Sequence, residues 1–185
     1  MIRPVLVVAS AVLAAAGTLA PSTAQGVEVP MTTTPSPTSP AATPPAEVGG
    51  VALSQLPAGL GALSVFDSED DDAQISTGVW ESTVPEGSAV DLSVTVVRSD
   101  RFTTPEAFHD WVVPWQERPA EEAVYEQTTV GGGTAWLAKD QVLWLIRPGL
   151  GASVTIDAKR FDATTLPQVA EAAHETASGG AGAPK

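Results

Sequence analysis

Apolar residues recur along 51–177 with two spacings, one of two residues and one near 3.6, and their order predicts strands, a helix, four strands and a second helix. The most legible stretch is Val130 to Asp157, VGGGTAWLAKDQVLWLIRPGLGASVTID. It reads as three strands joined by turns near Lys139-Asp140 and at Pro148-Gly149, the latter with proline and glycine where a type II turn wants them. The middle strand is apolar at every position from Val142 to Ile146. A strand with one wet face alternates, so this one is expected to have both faces covered and to sit at the centre of an antiparallel sheet, with helix on its second face.

Upstream, Leu63 and Val65 mark a short alternating strand, and Ala73 to Ser82 a second one, interrupted near Gly78. Ala89 to Arg98 alternates cleanly, with Val90, Leu92, Val94 and Val96 on one face and Asp91, Ser93 and Thr95 on the other. Thr104 fits a helix N-cap, Pro105 the first helical position and Glu106 the first turn. Phe108, Trp111, Val112 and Trp115 form one apolar stripe, which Pro114 ends or kinks around Val113. Ala123 to Thr129 returns to strand. Thr165 and Gln168 have capping-box spacing before a final helix whose apolar face is Leu166, Val169, Ala170 and Ala173. The whole predicts a single small α+β domain: an antiparallel sheet of about six to seven strands with two helices packed on one face.

The ends change character. Met1 to Ala24 has a charged Arg3, a short apolar run over Val5 to Ala16 and small residues before position 25, the pattern of a secretory signal peptide. An uncleaved anchor is the rival, but the run Pro4 to Ala20 is at the short end of the roughly 17–25 residues a span needs. Residues 25–50 are rich in Pro, Thr, Ser and Ala and read as a disordered linker, of a composition that O-glycosylated stalks share. The folded domain is expected over 51–177 and a disordered tail over 178–185. Localisation is thus expected to be bacterial, and secreted or attached to the cell wall.

Charge and composition narrow the partners. The 185 residues carry a net charge of −13, which disfavours nucleic acid and anionic lipid surfaces. There is no cysteine, so thiol catalysis, thiolate metal sites and lipid attachment through cysteine are excluded. No cofactor is expected, nor a stable membrane span once the leader is removed. The partner is expected to be an envelope or extracellular protein or lipid, bound by a monomer.

Candidate chemistry is sparse. The run Asp67 to Asp72, expected as a solvated loop, makes Asp67, Glu69, Asp70, Asp71 and Asp72 the metal candidates, since Ca²⁺ takes hard oxygen ligands. An EF-hand loop starting at Asp67 would need glycine at Asp72 and glutamate at Gly78, and has neither. Gly131 to Gly133 leads into a strand rather than a helix, so it reads as a hairpin turn needing positive φ, not a phosphate cradle. His109 lies beside Asp110, but adjacent helical residues do not face each other. His174 falls in the last turn of the final helix. Without a recognisable nucleophile the chain is expected not to be an enzyme, an uncharacterised hydrolase being the alternative. Of the five tryptophans, Trp111 and Trp144 are expected in the core. Trp115 and Trp136 are expected at the surface, and with Tyr125 they are the ligand-binding candidates.

From Val130 on, the pattern V-GG-x-A-W-L, L-W-L-x-R-P-G, V-x-I-D, L-x-x-V-A resembles the closing segment of exported bacterial domains of the sigma-E regulatory RseB type and of relatives of lipoprotein-sorting proteins. Gly133, Ala135, Trp136, Leu143, Trp144, Val154, Ile156, Leu166, Val169 and Ala170 carry the likeness, which covers 130–175. It implies a half-barrel-like sheet with helix packing and a non-enzymatic sensing or binding module of the envelope, with no catalytic residue. Both lines meet in one expectation, a non-enzymatic binding domain of the envelope. The alternative is a carrier or sensor of a small apolar ligand such as a lipid, with a cavity beneath the first helix.

Overall fold

A computed structural model describes residues 42–177; the expected signal peptide, most of the linker and the tail at 178–185 lie outside them. The framework is a seven-stranded, wholly antiparallel sheet. Its strands are β3 (Ala62–Asp70), β4 (Ala73–Val84), β5 (Gly87–Arg98), β6 (Glu126–Val130), β7 (Gly133–Leu137), β8 (Gln141–Arg147) and β9 (Leu150–Ile156). In space they run β3-β4-β5-β9-β8-β7-β6. The α+β class is borne out. The strand expected at the centre, β8, is one place off it; β9 holds the middle. The tight turns fall where glycine and proline put them: Gly131 and Gly132 have φ of +58° and +82°, and Gly149 has φ +81°.

A second sheet was not foreseen. Ala46–Val48 (β1), assigned by composition to the linker, pairs with Val51–Leu53 (β2), and Ala173–Glu175 (β10) joins β2 on its other side. The fold therefore starts before Val51, and Val48 is fully buried. Gly49 and Gly50 make the β1–β2 turn, both with positive φ (+52° and +74°). His174 consequently belongs to a strand rather than to a helix end. The last helix, α2 (Thr165–Glu171), is shorter than expected and lacks the capping box. Thr164 is its N-cap without a side-chain cap bond. Asp162 does the work one turn earlier, accepting from the Thr164 N–H at 2.9 Å, which holds its carboxyl below the usual range.

The helix α1 (Pro105–Trp115) starts as expected, with Thr104 Oγ1 accepting from the Ala107 N–H at 3.2 Å. It runs two residues beyond Val113. Pro114 is tolerated because only the last turn remains to be closed, and the Gln116 N–H still reaches the Val112 carbonyl at 3.0 Å.

The two helices do not share a face of the sheet, and that expectation is corrected. Val142 and Trp144 of β8, with Val94 of β5 and Val154 of β9, join a core with Val48, Val51 and Leu53 of the small sheet and Leu166, Val169 and Ala170 of α2. Leu143 points the other way, into a core with Ile75, Val97, Phe102, Phe108 and Val112 under α1. The period-two strand thus feeds two cores, one per face, as its unbroken apolar run requires. Size explains the division. Large α1 side chains lie over small β9 residues on that face, where a Cβ on Gly151 would overlap the Phe108 ring.

The small sheet is clamped by charge. Arg147 donates to Glu175 through Nε (2.7 Å) and Nη2 (2.6 Å), Arg98 Nη2 stands 3.9 Å from the same carboxylate, and Arg98 Nη1 donates to the Gly49 carbonyl. The hydrogen bonds from Arg147 hold the Glu175 carboxyl below its ordinary 4.5. A carboxyl depressed in the folded state stabilises fully above its unfolded value, and that contribution is lost as pH falls through the folded value. Glu175→Gln is therefore expected to be less stable than the parent at pH 7, with the difference in Tm closing as the pH is taken down through the acid range. Thermal melts of both chains at stepped pH check this; a pH-independent difference would refute it.

Candidate functional site

Beyond α1 the chain crosses the open end of the sheet as an irregular segment, 116–125, and a buried amide holds it there. Gln141 opens β8 and is 1% exposed. Its Oε1 accepts from Arg118 Nη1 at 2.8 Å and from the Tyr125 hydroxyl, while its Nε2 donates to Gln116 Oε1 at 3.0 Å and Thr155 Oγ1 at 2.8 Å. Arginine can only donate, so the amide orientation is determined, and all four of its bonding positions are used. Gln116 passes the chain on to Ser153 Oγ at 3.0 Å, and Arg118 Nη2 reaches Asp140 Oδ1 at 2.6 Å. Burial on its own would lower the Arg118 pKa; the hydrogen bond and charge of Asp140 outweigh it, and the net shift is upward. Burial pushes the Tyr125 hydroxyl up, which keeps it a donor. A fully satisfied network of this kind fixes one geometry.

On this support sits a band of half-buried rings. Trp111 and Trp115 stack, 5.4 Å apart with planes 13° from parallel, and Arg101 lies 5.9 Å from the Trp111 ring centre. His109 packs on Trp136 at 4.6 Å and meets Tyr125 edge-on at 5.7 Å. Trp111, Trp115, Tyr125 and Trp136 all lean on the Phe102–Phe108–Leu143 core. The ligand-binding candidates are thus on one face of the sheet, Tyr125 and Trp136 joined through His109, and Trp115 in the neighbouring stack. Trp144 is core as expected, 4% exposed. Trp111 is not: it is partly exposed, completing the stack with Trp115.

His109 Nδ1 does approach Asp110 Oδ1, at 3.1 Å, contrary to expectation for helix neighbours. The carboxylate is 79% exposed, so this is a surface pair. The acidic run is not a loop. Asp67 to Asp70 are the end of β3 and Asp71-Asp72 the two-residue turn into β4, Asp71 at φ +54°. Strand alternation sends Asp67 and Glu69 to one face and Asp70 to the other. Asp67 accepts from Ser76 Oγ at 2.6 Å, and Asp71 and Asp72 pair with Arg101. Among the described residues no three His, Asp or Glu side chains converge on a point that could hold a metal ion.

Gln116, Arg118 and Gln141 were not singled out from sequence. The signal for Gln141 was there: a polar residue opening a strand covered on both faces has to be paired. Comparison with protein-family models, with curated proteins and with solved structures finds no match to this chain.

Proposed function

We propose that this chain is an exported, envelope-associated binding domain without chemistry of its own, and that it meets its partner with the α1 face. The observation that carries this is the ring band itself: Trp111, Trp115, His109, Tyr125 and Trp136, each half in water on a rigid, hydrogen-bonded base. Rings of this kind bring large contact area at little entropic cost, which is why they dominate binding hot spots. The leader-like N-terminus, the Pro/Thr-rich run and the likeness of 130–175 to RseB-type closing segments support the envelope as its place of work. No helix among the described residues is long and apolar enough to cross a membrane.

The carrier reading draws less support. It needs space beneath α1, and Phe102, Phe108, Val112 and Leu143 occupy that space with no exposed surface, Phe102 and Phe108 in edge contact at 5.4 Å.

The test is co-sedimentation of the full mature chain with envelopes isolated from its own host. Binding is expected to fall about tenfold in Trp115→Ala and Trp136→Ala, the effect of losing one good anchor, with the melting curves showing both variants folded. Retention of both variants at parent level, or no sedimentation of the parent, overturns the proposal. A native mass spectrum of the chain from culture fluid is expected to show polypeptide with no ligand mass released on denaturation; a discrete released mass would reinstate the carrier.

A further inference from the structure

The sheet ends at one side in a long strand that has a strand partner along one edge alone among the described residues. β3 runs nine residues and pairs only with β4, in unbroken register from Ala62↔Glu81 to Asp70↔Ala73. Every residue from Ala62 to Glu69 is exposed. Leu63 (37%), Val65 (46%) and Phe66 (60%) are three of the five large apolar side chains most exposed among the described residues. An edge like this is a template for another strand, and proteins blunt it with bulges, proline, charged side chains or short length. β3 has no bulge and no proline, is nine residues long, and carries charge only from Asp67 on, so Ala62–Phe66 is left unprotected. The opposite edge, β6, is only five residues long and mostly polar.

What β3 does have is charge of one sign at one end. Ala62 to Phe66 is apolar but for Ser64, and Asp67 and Glu69 follow on one face of the strand, while Asp71 and Asp72 in the turn beyond are already paired with Arg101. We propose that β3 is a strand-addition site for an extended segment of another polypeptide. Its lysine- or arginine-bearing half lies along Asp67–Glu69, and its β-branched half along Leu63–Phe66. Main-chain hydrogen bonds supply the docking, and the charge gradient sets which end of the visitor goes where. A second copy of this chain fits worse. Antiparallel pairing about Phe66 would set Leu63 opposite Glu69 and Val65 opposite Asp67, between two molecules of charge −13 each.

The site is separate from the α1 face, and its test is too. The probe is a synthetic nine-residue peptide with lysine and threonine alternating in one half and valine and threonine in the other. It is titrated into the full mature chain and followed by anisotropy of a terminal dye. Two further peptides are N-methylated at odd or at even positions. Only alternate N–H groups of an added strand face β3, so one methylated peptide is expected to lose binding at least about tenfold and the other to keep it. Asp67→Lys with Glu69→Lys is expected to lose a similar factor, and Trp136→Ala none. Equal binding of both methylated peptides would mean charge attraction without strand addition and overturns the proposal. So does a parent peptide that fails to bind, or a chain whose sedimentation shows β3-dependent dimers instead.

Discussion

Replacing Asp91 by alanine is expected to cost about 3–5 kcal/mol, since it leaves two donors to its carboxylate unpaired in the interior at about 1–3 kcal/mol each. Asp91 is 0% exposed, in β5, and three separate parts of the chain converge on it. Its Oδ2 accepts from the Gly61 N–H at 2.8 Å and from the Ser82 hydroxyl, and Arg160 packs its guanidinium against Oδ1. Its carbonyl also accepts from the Asp157 N–H at 2.9 Å. The carboxylate therefore ties the entry to β3, the far half of β4 and the connection from β9 to α2. Alanine leaves the Gly61 N–H and the Ser82 hydroxyl without an acceptor and Arg160 without its counter-charge. Asp91→Asn keeps an acceptor for the first two but turns an amide toward Arg160, so a smaller loss is expected. Urea unfolding of both variants checks the order. With total stability on the order of 5–15 kcal/mol, the alanine variant should melt roughly 10 °C or more below the parent. A loss under about 1 kcal/mol would mean that water already serves this carboxylate.

Asp91 also shows where pattern reading stops. Of the face expected from alternation, Leu92, Val94 and Val96 point into one core, but the register between β4 and β5 shifts at Asp91 and Val90, beyond the shift, is 49% exposed. The polar set is not a wet one: Asp91 is wholly buried and Thr95 is 8% exposed. Alternation reports which residues share a face and is silent on what covers it. The same silence explains the helices. The unbroken apolar run of β8 said that both faces were covered, and both are, but assigning each helix to a face needs the complement of sizes across the sheet. Gly151 and Ser153 beneath Phe108 and Gln116 supply that complement.

Composition misled at two points for a shared reason. Val48-Gly49-Gly50-Val51 was read with the Pro-rich stretch before it, although a Gly-Gly pair between apolar residues is itself a hairpin signal. Asp67–Asp72 was read as a loop because six polar residues in water need no strand. It is a strand because β4 supplies a regular partner, and an edge position lets its carboxylates stay wet. In both, a tertiary partner decides what the local window leaves open. The candidate site divides along the same line. Trp115 and Trp136 were legible as surface aromatics and, with Tyr125, as binding candidates, whereas the Gln141 network beneath them joins residues from Gln116 to Thr155 and has no local pattern.

Phe108→Ala is expected to cost about 3–5 kcal/mol, and its effect should depend on Gly151. The ring is 0% exposed, meets Phe102 edge-on and fills the notch that Gly151 leaves in β9, between Val97 and Leu145 on the neighbouring strands. The glycine is required by space: its φ is not among the positive values, and a Cβ there would run into the ring. Gly151→Ala alone should overpack the contact and cost about 1–3 kcal/mol. In the Phe108→Ala background the added methyl enters space the ring has vacated, so the same substitution is expected to be close to neutral or mildly restoring. The double-mutant cycle should return a coupling of about 1–3 kcal/mol; strict additivity would show that the helix does not bear on the strand at this point. The coupling has a functional side, because Phe108 is where α1 is held nearest the sheet. Loss of the ring should loosen the Trp111–Trp115 stack and the His109–Trp136 contact together, changing tryptophan emission before global unfolding. Envelope binding should then weaken in Phe108→Ala, although the residue has no surface of its own to offer.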